Sequence, residues 1–344
     1  MRLISLSLFR YILRRLVFLV FLILGVSLLV FLISHLVPAD PVVAFVSQRN
    51  MSDPEVVAAF KAKWGLDQPL YMQYLIYVKS LMHGDLGVSI RTHRPVLTDL
   101  AEYFPATIEL ATFATIIAIV FGMIFGVISA TMRNSFIDQI LRAISVLGVS
   151  APSFWVALVF LYVFYFRLGM AAGPGRLSSR IAAPLAITHL YLLDALLQRQ
   201  WQTALDVFRH LLLPGIVLGL FTMGLITRTT RSSLLEVLSK DYIRTARAKG
   251  LMELFVILRH ALGNAMIPVI TVIGLGFGNL LGGTVLVETI FAWPGIGQYA
   301  FQSAHSLDFP SIVGVSLLIA VNYVVINLII DLIYGVIDPR VRYD

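Results

Sequence analysis

The sequence predicts an all-α, polytopic membrane protein with six transmembrane helices and a small helical lobe outside the membrane. Hydrophobic residues make up 58% of the 344 residues and charged residues only 13%, against about a quarter charged in ordinary soluble domains. The mean hydropathy is +0.87, and apolar runs long enough to cross a bilayer recur along the chain. The formal net charge of +7 comes from basic residues beside these runs, which indicates membrane topology and argues against nucleic-acid binding.

The first span follows a basic N-terminus. Four arginines within residues 1–15 precede an apolar run at residues 16–37. A run of about 22 residues is long enough to cross the hydrocarbon core, and it is longer than the apolar region of a cleaved signal peptide. We therefore predict a cytoplasmic N-terminus at residues 1–15 and an uncleaved first helix at residues 16–37.

Residues 38–103 form a long polar insertion with nearly balanced charge, six basic against seven acidic residues. Because the first span begins inside, this segment is expected on the extracytoplasmic side. An Asp-Pro start predicts a helix over residues 53–64, and Gly84 is expected to stop a second amphipathic helix over residues 71–82. The insertion is thus predicted to be a small helical lobe.

Residues 104–337 are predicted to form a core of five further spans. Pro152 is expected to kink the second of them. The apolar stretch at residues 184–197 is too short to cross a bilayer and contains His189 and Asp194, so we predict an interfacial or re-entrant segment there. The five predicted spans are residues 104–130, 141–166, 211–227, 267–291 and 312–337.

Six spans place both termini in the cytoplasm, with residues 338–344 as the C-terminal segment. The loops assigned to the inside hold 15 of the 26 Lys and Arg residues, as the positive-inside bias requires. Seven of these lie in the loop at residues 228–266. This loop is therefore predicted to face the cytoplasm.

A short basic stretch within this loop, DYIRTARAKG at residues 241–250, is predicted to be a helix that contacts another protein. Tyr242, Ala246 and Gly250 recur every four residues, and this spacing places them along one side of a helix. One bulky and two very small residues on that side predict a surface that fits closely against a partner. Gly250 can alternatively be a helix C-cap with positive φ.

The chain resembles the inner-membrane permease subunits of ATP-binding-cassette importers, in the dipeptide, oligopeptide and nickel branch, and in particular the first of their two permeases. The family's coupling motif is Glu-Ala-Ala, three residues and then Gly. Here Arg244, Thr245 and Ala246 take the first three places before Gly250, so the glutamate is absent. The similarity extends over nearly the whole chain through GDLG at 84–87, RPV at 94–96, PATIEL at 105–110, FAWPGIG at 291–297 and DPRVR at 338–342.

The resemblance implies a type I importer permease fold and a role in peptide import across a bacterial inner membrane. The implied partners are a second homologous permease, two ATPase subunits that bind ATP and Mg²⁺, an extracytoplasmic substrate-binding protein and membrane lipids, with no cofactor in this chain. The residues implied to dock on the ATPase are Tyr242, Arg244, Thr245, Ala246, Arg247, Ala248, Lys249 and Gly250.

Small and ionisable residues of the fifth span are candidates for the transport path. The glycines fit close helix packing equally well, and Glu288, which lies five residues before Trp293, can instead lie at the membrane interface. Asp331 is a further ionisable residue in an apolar span. The path candidates are Thr271, Gly274, Gly278, Gly282 and Glu288.

No catalytic or metal site is predicted. None of the five lysines completes a phosphate-binding loop, and the seven histidines show no HExxH-type pairing, as a P-loop or a helical zinc site requires. The chain is therefore expected not to be an enzyme and to depend on separate ATPases.

Two other functional classes and the identity of the solute stay open. A secondary transporter is expected to show inverted repeats, and none is evident in the sequence. A membrane-anchored receptor would bind its ligand through residues 38–103. Peptides, nickel chelates, glutathione and sugars are all solutes of similar permeases.

Overall fold

The computed structural model describes residues 2–36 and 68–337. These residues form helices joined by turns, with one isolated bridge between Val88 and Pro95, so the predicted all-α class is confirmed. Among them, five helices are long and apolar enough to cross a membrane, or six if one bent pair is a single span. The predicted helix over residues 53–64 and the segment 338–344 lie outside the described residues.

The helices begin and end at definite residues. In chain order they are α1 Arg2–Leu36, α2 Leu70–Met82, α3 Val96–Thr131, α4 Phe136–Ser150, α5 Ser153–Phe160, α6 Tyr191–Leu197, α7 Trp201–Leu238, α8 Asp241–Ala248, α9 Leu262–Gly283, α10 Val285–Ile290, α11 Ile296–His305 and α12 Phe309–Ile337. A π-helical segment, Leu161–Arg167, continues α5, and Glu253–Phe255 with the π-helical Val256–Ala261 leads into α9.

Two of the predicted spans are shorter than the helices that contain them. α3 has 36 residues and α7 has 38, against predicted spans at 104–130 and 211–227. About 20 residues suffice to cross the hydrocarbon core, and hydropathy detects only that apolar middle. The polar ends continue as helix beyond it.

Pro152 divides the third predicted span into two helices. α4 and α5 are bent by 107° at Ala151 and Pro152, which we call the elbow. Ala151 has φ −75° and ψ 131°, the extended conformation that a following proline imposes. The predicted kink is confirmed, and it is sharp enough to make the span a broken one.

Two predicted boundaries differ from the structure. The fifth span was expected to continue to residue 291, but α9 ends at Gly283 and the separate helix α10 follows Thr284, so that prediction is wrong. In the stretch at 184–197 only Tyr191–Leu197 is helical. Seven residues are too few to cross a bilayer, as predicted, and its interfacial or re-entrant position stays a prediction.

The chain divides into two compact units. Among the described residues, the first comprises 2–36, 68–106 and 294–325. Its core includes Val96, Leu100 and Tyr299, and the Tyr299 hydroxyl donates a 3.0 Å hydrogen bond to the buried Asp99 carboxylate. Burial and the neighbouring Asp99 raise the pKa of Tyr299 to about 12, so this hydroxyl keeps its proton at neutral pH and stabilises the unit as a donor.

Among the described residues, the second unit comprises 107–293 and 326–337. Its helices α4 and α7 pack at backbone contact, because a side chain at Gly224 would come within 2.5 Å of the Ser145 carbonyl oxygen and one at Gly148 within 2.8 Å of the Leu220 carbonyl oxygen. Small residues at such crossings allow close helix packing in membranes. α4 and α7 therefore form a tightly packed pair.

Candidate functional site

The basic helix α8 packs one face against its own chain and leaves the rest exposed. Ile243 is fully buried and Ala246 is 8% exposed. Both belong to a core that also contains Leu234 of α7 and Val256 of the π-helical segment before α9. The exposed residues of this stretch are Asp241, Tyr242, Arg244, Thr245, Arg247, Ala248, Lys249 and Gly250.

The predicted partner face, which combined Tyr242, Ala246 and Gly250, is wrong for Ala246. Its side chain points into the chain's own core, because Ile243 and Ala246, three residues apart, define the apolar side of the helix. At about 100° per residue, Ala248 lies nearly opposite the midpoint of these two residues. The outward face is therefore centred on Ala248.

Gly250 ends the helix, and the alternative role predicted for it is confirmed. Its φ is +74°, and its backbone N–H donates a 2.9 Å hydrogen bond to the Arg247 carbonyl oxygen. An L side chain is strained in this left-handed conformation. Gly250 is thus required by the backbone turn that follows α8.

An ion pair joins the end of α8 to the next helical run. Arg247 Nη2 lies 2.6 Å from Glu253 Oε1, and Arg247 Nε lies 3.0 Å from Glu253 Oε2. The hydrogen bonds from Arg247 to Glu253 raise the pKa of Arg247 above its usual value. Because both side chains are largely exposed, the pair contributes little to stability.

A second arginine connects α7 with the start of α4. Arg231 donates from Nε and Nη2 to the two oxygens of Asp138, each at 2.9 Å. Asp138 is fully buried, and it also accepts hydrogen bonds from the Ser129 hydroxyl and the Asn134 backbone N–H. The sequence analysis missed this pair, because its two residues lie 93 positions apart in the chain.

Two of the three glycines that are candidates for the transport path, Gly274 and Gly278, lie against α12. A side chain at Gly274 would collide with Ile330, and one at Gly278 would meet Ile326 at 3.6 Å. The Thr271 hydroxyl donates to the carbonyl oxygen of Ile267 at 3.1 Å. These contacts favour the close-packing interpretation of this part of α9.

Glu288 is enclosed by protein. Its side chain is 0% exposed, and Oε1 accepts hydrogen bonds from the hydroxyls of Thr107 at 2.8 Å and Thr284 at 2.7 Å. Glu288 therefore ties α10 to α3 and does not line an opening in this conformation. Its position at the membrane interface stays a prediction.

A buried ion pair that the sequence analysis missed holds the segment between α5 and α6 on α3. Arg176 Nη2 lies 2.7 Å from Glu109 Oε2, and the backbone N–H of Leu192 donates to Glu109 Oε1 at 2.7 Å. The guanidinium also lies 3.7 Å above the Tyr191 ring. Glu109 could have been recognised from the sequence as an ionisable residue within an apolar span. Its partner Arg176 could not, because it lies 67 residues further along the chain.

A cavity opens beside the elbow, with a volume of about 860 Å³. We call it the elbow cavity. It is lined by residues of α4, α5, α7 and α9, none of them charged. Its polar side chains belong to Ser150, Ser153, Thr222 and Asn279.

Metal binding receives no support from the part of the chain that is described. There, no group of three or more His, Asp or Glu residues is placed to hold an ion. The absence of a metal site stays a prediction.

Comparisons with known proteins place the chain among transport components. Residues 118–343 match the family described as binding-protein-dependent transport system inner membrane component, and residues 8–111 match its N-terminal membrane component. The chain is 45% identical over 323 residues to a probable D,D-dipeptide transport system permease protein of Escherichia coli, with 94% of each chain covered. It is 43% identical over 333 residues to a dipeptide transport system permease protein of Alkalihalophilus pseudofirmus, covering 97% of this chain and 99% of the relative. A glutathione transport system permease protein of Escherichia coli is 37% identical over 333 residues, with the same coverage.

Proposed function

Because the chain belongs to the family of binding-protein-dependent transport system inner membrane components, we propose that it is the permease subunit of an ATP-driven importer of dipeptides and short peptides. Relatives named for dipeptide transport are 45% and 43% identical to it, and the relative named for glutathione is 37% identical. Glutathione is itself a small peptide. A peptide-like solute is therefore favoured over nickel chelates and sugars.

The partners follow from the family. A second permease completes the path, two ATPase subunits bind and hydrolyse ATP, and an extracytoplasmic binding protein delivers the solute. The chain is a multi-pass inner-membrane protein, and we propose that both termini and the loop at 228–266 are cytoplasmic. The lobe at 38–103 is proposed to contact the binding protein.

The observation that supports energy coupling is the arrangement of α8. Its outward side is exposed, while Ile243 and Ala246 on its inner side pack against α7 and the run that leads into α9. If an ATPase holds the outward side of α8 in a groove and moves it, α7 and the run that leads into α9 must move with it. This is a rigid-body switch driven by ligand binding to the partner, and it requires no chemistry in this chain.

Uptake measurements test the proposal. The chain is expressed with a second permease, ATPases and a binding protein of a dipeptide importer from the same source, in a bacterial strain that lacks its own dipeptide importers. We expect ATP-dependent uptake of radiolabelled alanyl-alanine, and loss of uptake when the ATPases are inactivated. Uptake that persists with inactive ATPases and follows an ion gradient would indicate a secondary transporter, and uptake of nickel or sugars alone would overturn the peptide assignment.

A further inference from the structure

The elbow cavity has the size and position of a ligand site within the membrane-spanning part of the second unit. Its volume of about 860 Å³ lies within the range of about 300–1,000 Å³ that is common for small-molecule sites. The cavity exists because Pro152 turns α5 away from α4 by 107°, which leaves a space between the two helices and their neighbours α7 and α9. The break in the span thus creates the opening.

Three polar groups of the cavity make no hydrogen bond within the described part of the chain. Ser150, Ser153 and Asn279 are exposed, and the structure gives their side chains no hydrogen bond to any described residue. The asparagine amide offers two donors and one acceptor with two lone pairs. The elbow cavity therefore presents free hydrogen-bonding groups on a mostly apolar wall.

Asn279 is the most informative of these groups, because it lies in a candidate membrane span, Glu253–Gly282. An amide without partners in hydrocarbon costs several kcal/mol, so this side chain is not suited to face lipid tails. Two other positions of α9 are already packed against protein, Gly276 on Thr222 of α7 and Gly274 on Ile330 of α12. Asn279 must then meet water, a solute or another protein.

We propose that the elbow cavity is a transit site for the solute, where the Asn279 amide pairs with a peptide bond and the Ser150 and Ser153 hydroxyls supply further contacts. A primary amide matches a peptide bond because it can donate to the carbonyl oxygen while accepting from the N–H. This inference rests on the proposed function, since it names the backbone of a short peptide as the ligand.

The uncharged lining suits weak binding of a solute in transit better than tight binding. The site recognises the group that all peptides share and makes no ion pair with side chains or termini. A path must bind its solute well enough to admit it and weakly enough to release it. Neutral hydrogen bonds of modest net strength meet both conditions.

Uptake by the complete importer in proteoliposomes tests the role of Asn279. With radiolabelled alanyl-alanine, Asn279→Leu is expected to lower uptake on the order of tenfold, the effect of one lost hydrogen bond, while ATPase activity stimulated by the binding protein persists. Asn279→Gln, which keeps the amide, is expected to retain more uptake than Asn279→Leu. The matched control is Leu275→Ala, an exposed residue of the same helix that does not line the cavity, and its uptake should stay at the wild-type level.

Direct occupancy can be measured because the chain contains no cysteine. In the assembled importer carrying Asn279→Cys, a water-soluble maleimide should react with the new thiol, and alanyl-alanine should slow that reaction. A thiol at Leu275 should show no such protection.

The outcomes separate this inference from the proposed function. Wild-type uptake in Asn279→Leu, or a thiol at 279 that alanyl-alanine does not protect, overturns the transit site while the permease assignment stands. Loss of the second permease from purified Asn279→Leu importer would assign the residue to a subunit contact and also overturn the inference. If the wild-type importer transports no peptide at all, the proposed function itself is wrong.

Discussion

Arg231 and Asp138 form two parallel hydrogen bonds, each 2.9 Å long, between α7 and the start of α4. Arg231 lies on the same helix as Leu234, which packs against Ile243 of α8. Asp138 lies on the helix that ends at the elbow. The ion pair therefore joins the helix that carries Leu234, in the core shared with α8, to the helix that ends at the elbow.

Removing the positive charge of this pair should be strongly destabilising. Arg231→Met removes the bidentate partner of the fully buried Asp138 carboxylate and leaves only the exposed Arg142, 3.7 Å away. Breaking a buried ion pair typically costs about 3–5 kcal/mol. The unfolding temperature of the purified subunit in detergent measures the effect. Arg228→Met, an exposed arginine on the same helix, is the control and should change stability by less than about 0.5 kcal/mol.

A double variant shows whether the pair itself is responsible. Adding Asp138→Asn to Arg231→Met removes the unpaired charge and should recover part of the lost stability, as a double-mutant cycle detects. Equal unfolding temperatures for Arg231→Met and Arg228→Met would contradict the assigned role of the pair.

The outward face of α8 can be tested with a bulky substitution at its centre. Ala248→Trp should prevent the ATPases from co-purifying and abolish uptake, because overpacking a close contact costs about 1–3 kcal/mol. The subunit should still insert and pair with the second permease. Ala246→Trp is the contrasting variant, since it overpacks the chain's own core and should lower the unfolding temperature of the isolated subunit. Normal ATPase binding by Ala248→Trp would show that another surface docks.

Gly250 should respond to backbone strain and not to side-chain size. Its φ of +74° predicts that Gly250→Ala lowers the free energy of unfolding by about 1 kcal/mol. Gly250→Asn should cost less, because asparagine tolerates the left-handed region better than alanine. Calorimetry on the two variants measures the difference. Since a Cβ atom at this position would meet no other atom within 4 Å, a larger loss for asparagine than for alanine would contradict the conformational explanation.

The buried Arg176–Glu109 pair should control the stability of the segment at residues 168–200. Arg176→Met leaves Glu109 unpaired at 6% side-chain exposure, so hydrogen exchange in this segment should become faster by orders of magnitude. The exposed Arg180 provides the matched control, Arg180→Met, which should leave exchange unchanged. Unaltered protection in Arg176→Met would show that other contacts hold the segment.

Topology can be checked by labelling an introduced thiol. The seven basic residues of the loop at 228–266 predict that Ser239→Cys reacts with a membrane-impermeant maleimide only in inverted vesicles. Ser239 is exposed at the end of α7, so the thiol is accessible. Labelling in intact cells would overturn the orientation with both termini inside.

The amino-acid sequence by itself determined the features that depend on local properties of the chain. Long apolar runs identified the spans, because crossing a bilayer requires about 20 apolar residues whatever the rest of the protein does. Pro152 marked the break in the third span, and Gly250 marked the end of α8, since both residues restrict or permit particular backbone conformations. The family resemblance likewise rested on short segments in fixed order.

Tertiary structure alone decided the features that depend on residues distant in the chain. The spacing of Tyr242, Ala246 and Gly250 did not predict that Ala246 shares a core with Leu234 and Val256. Which side of a helix is buried depends on the helices that pack around it. In the same way, Arg231 meets Asp138 across 93 residues, and the elbow cavity forms only where four helices converge. Packing and charge pairing act through space, so their partners are determined when the helices assemble.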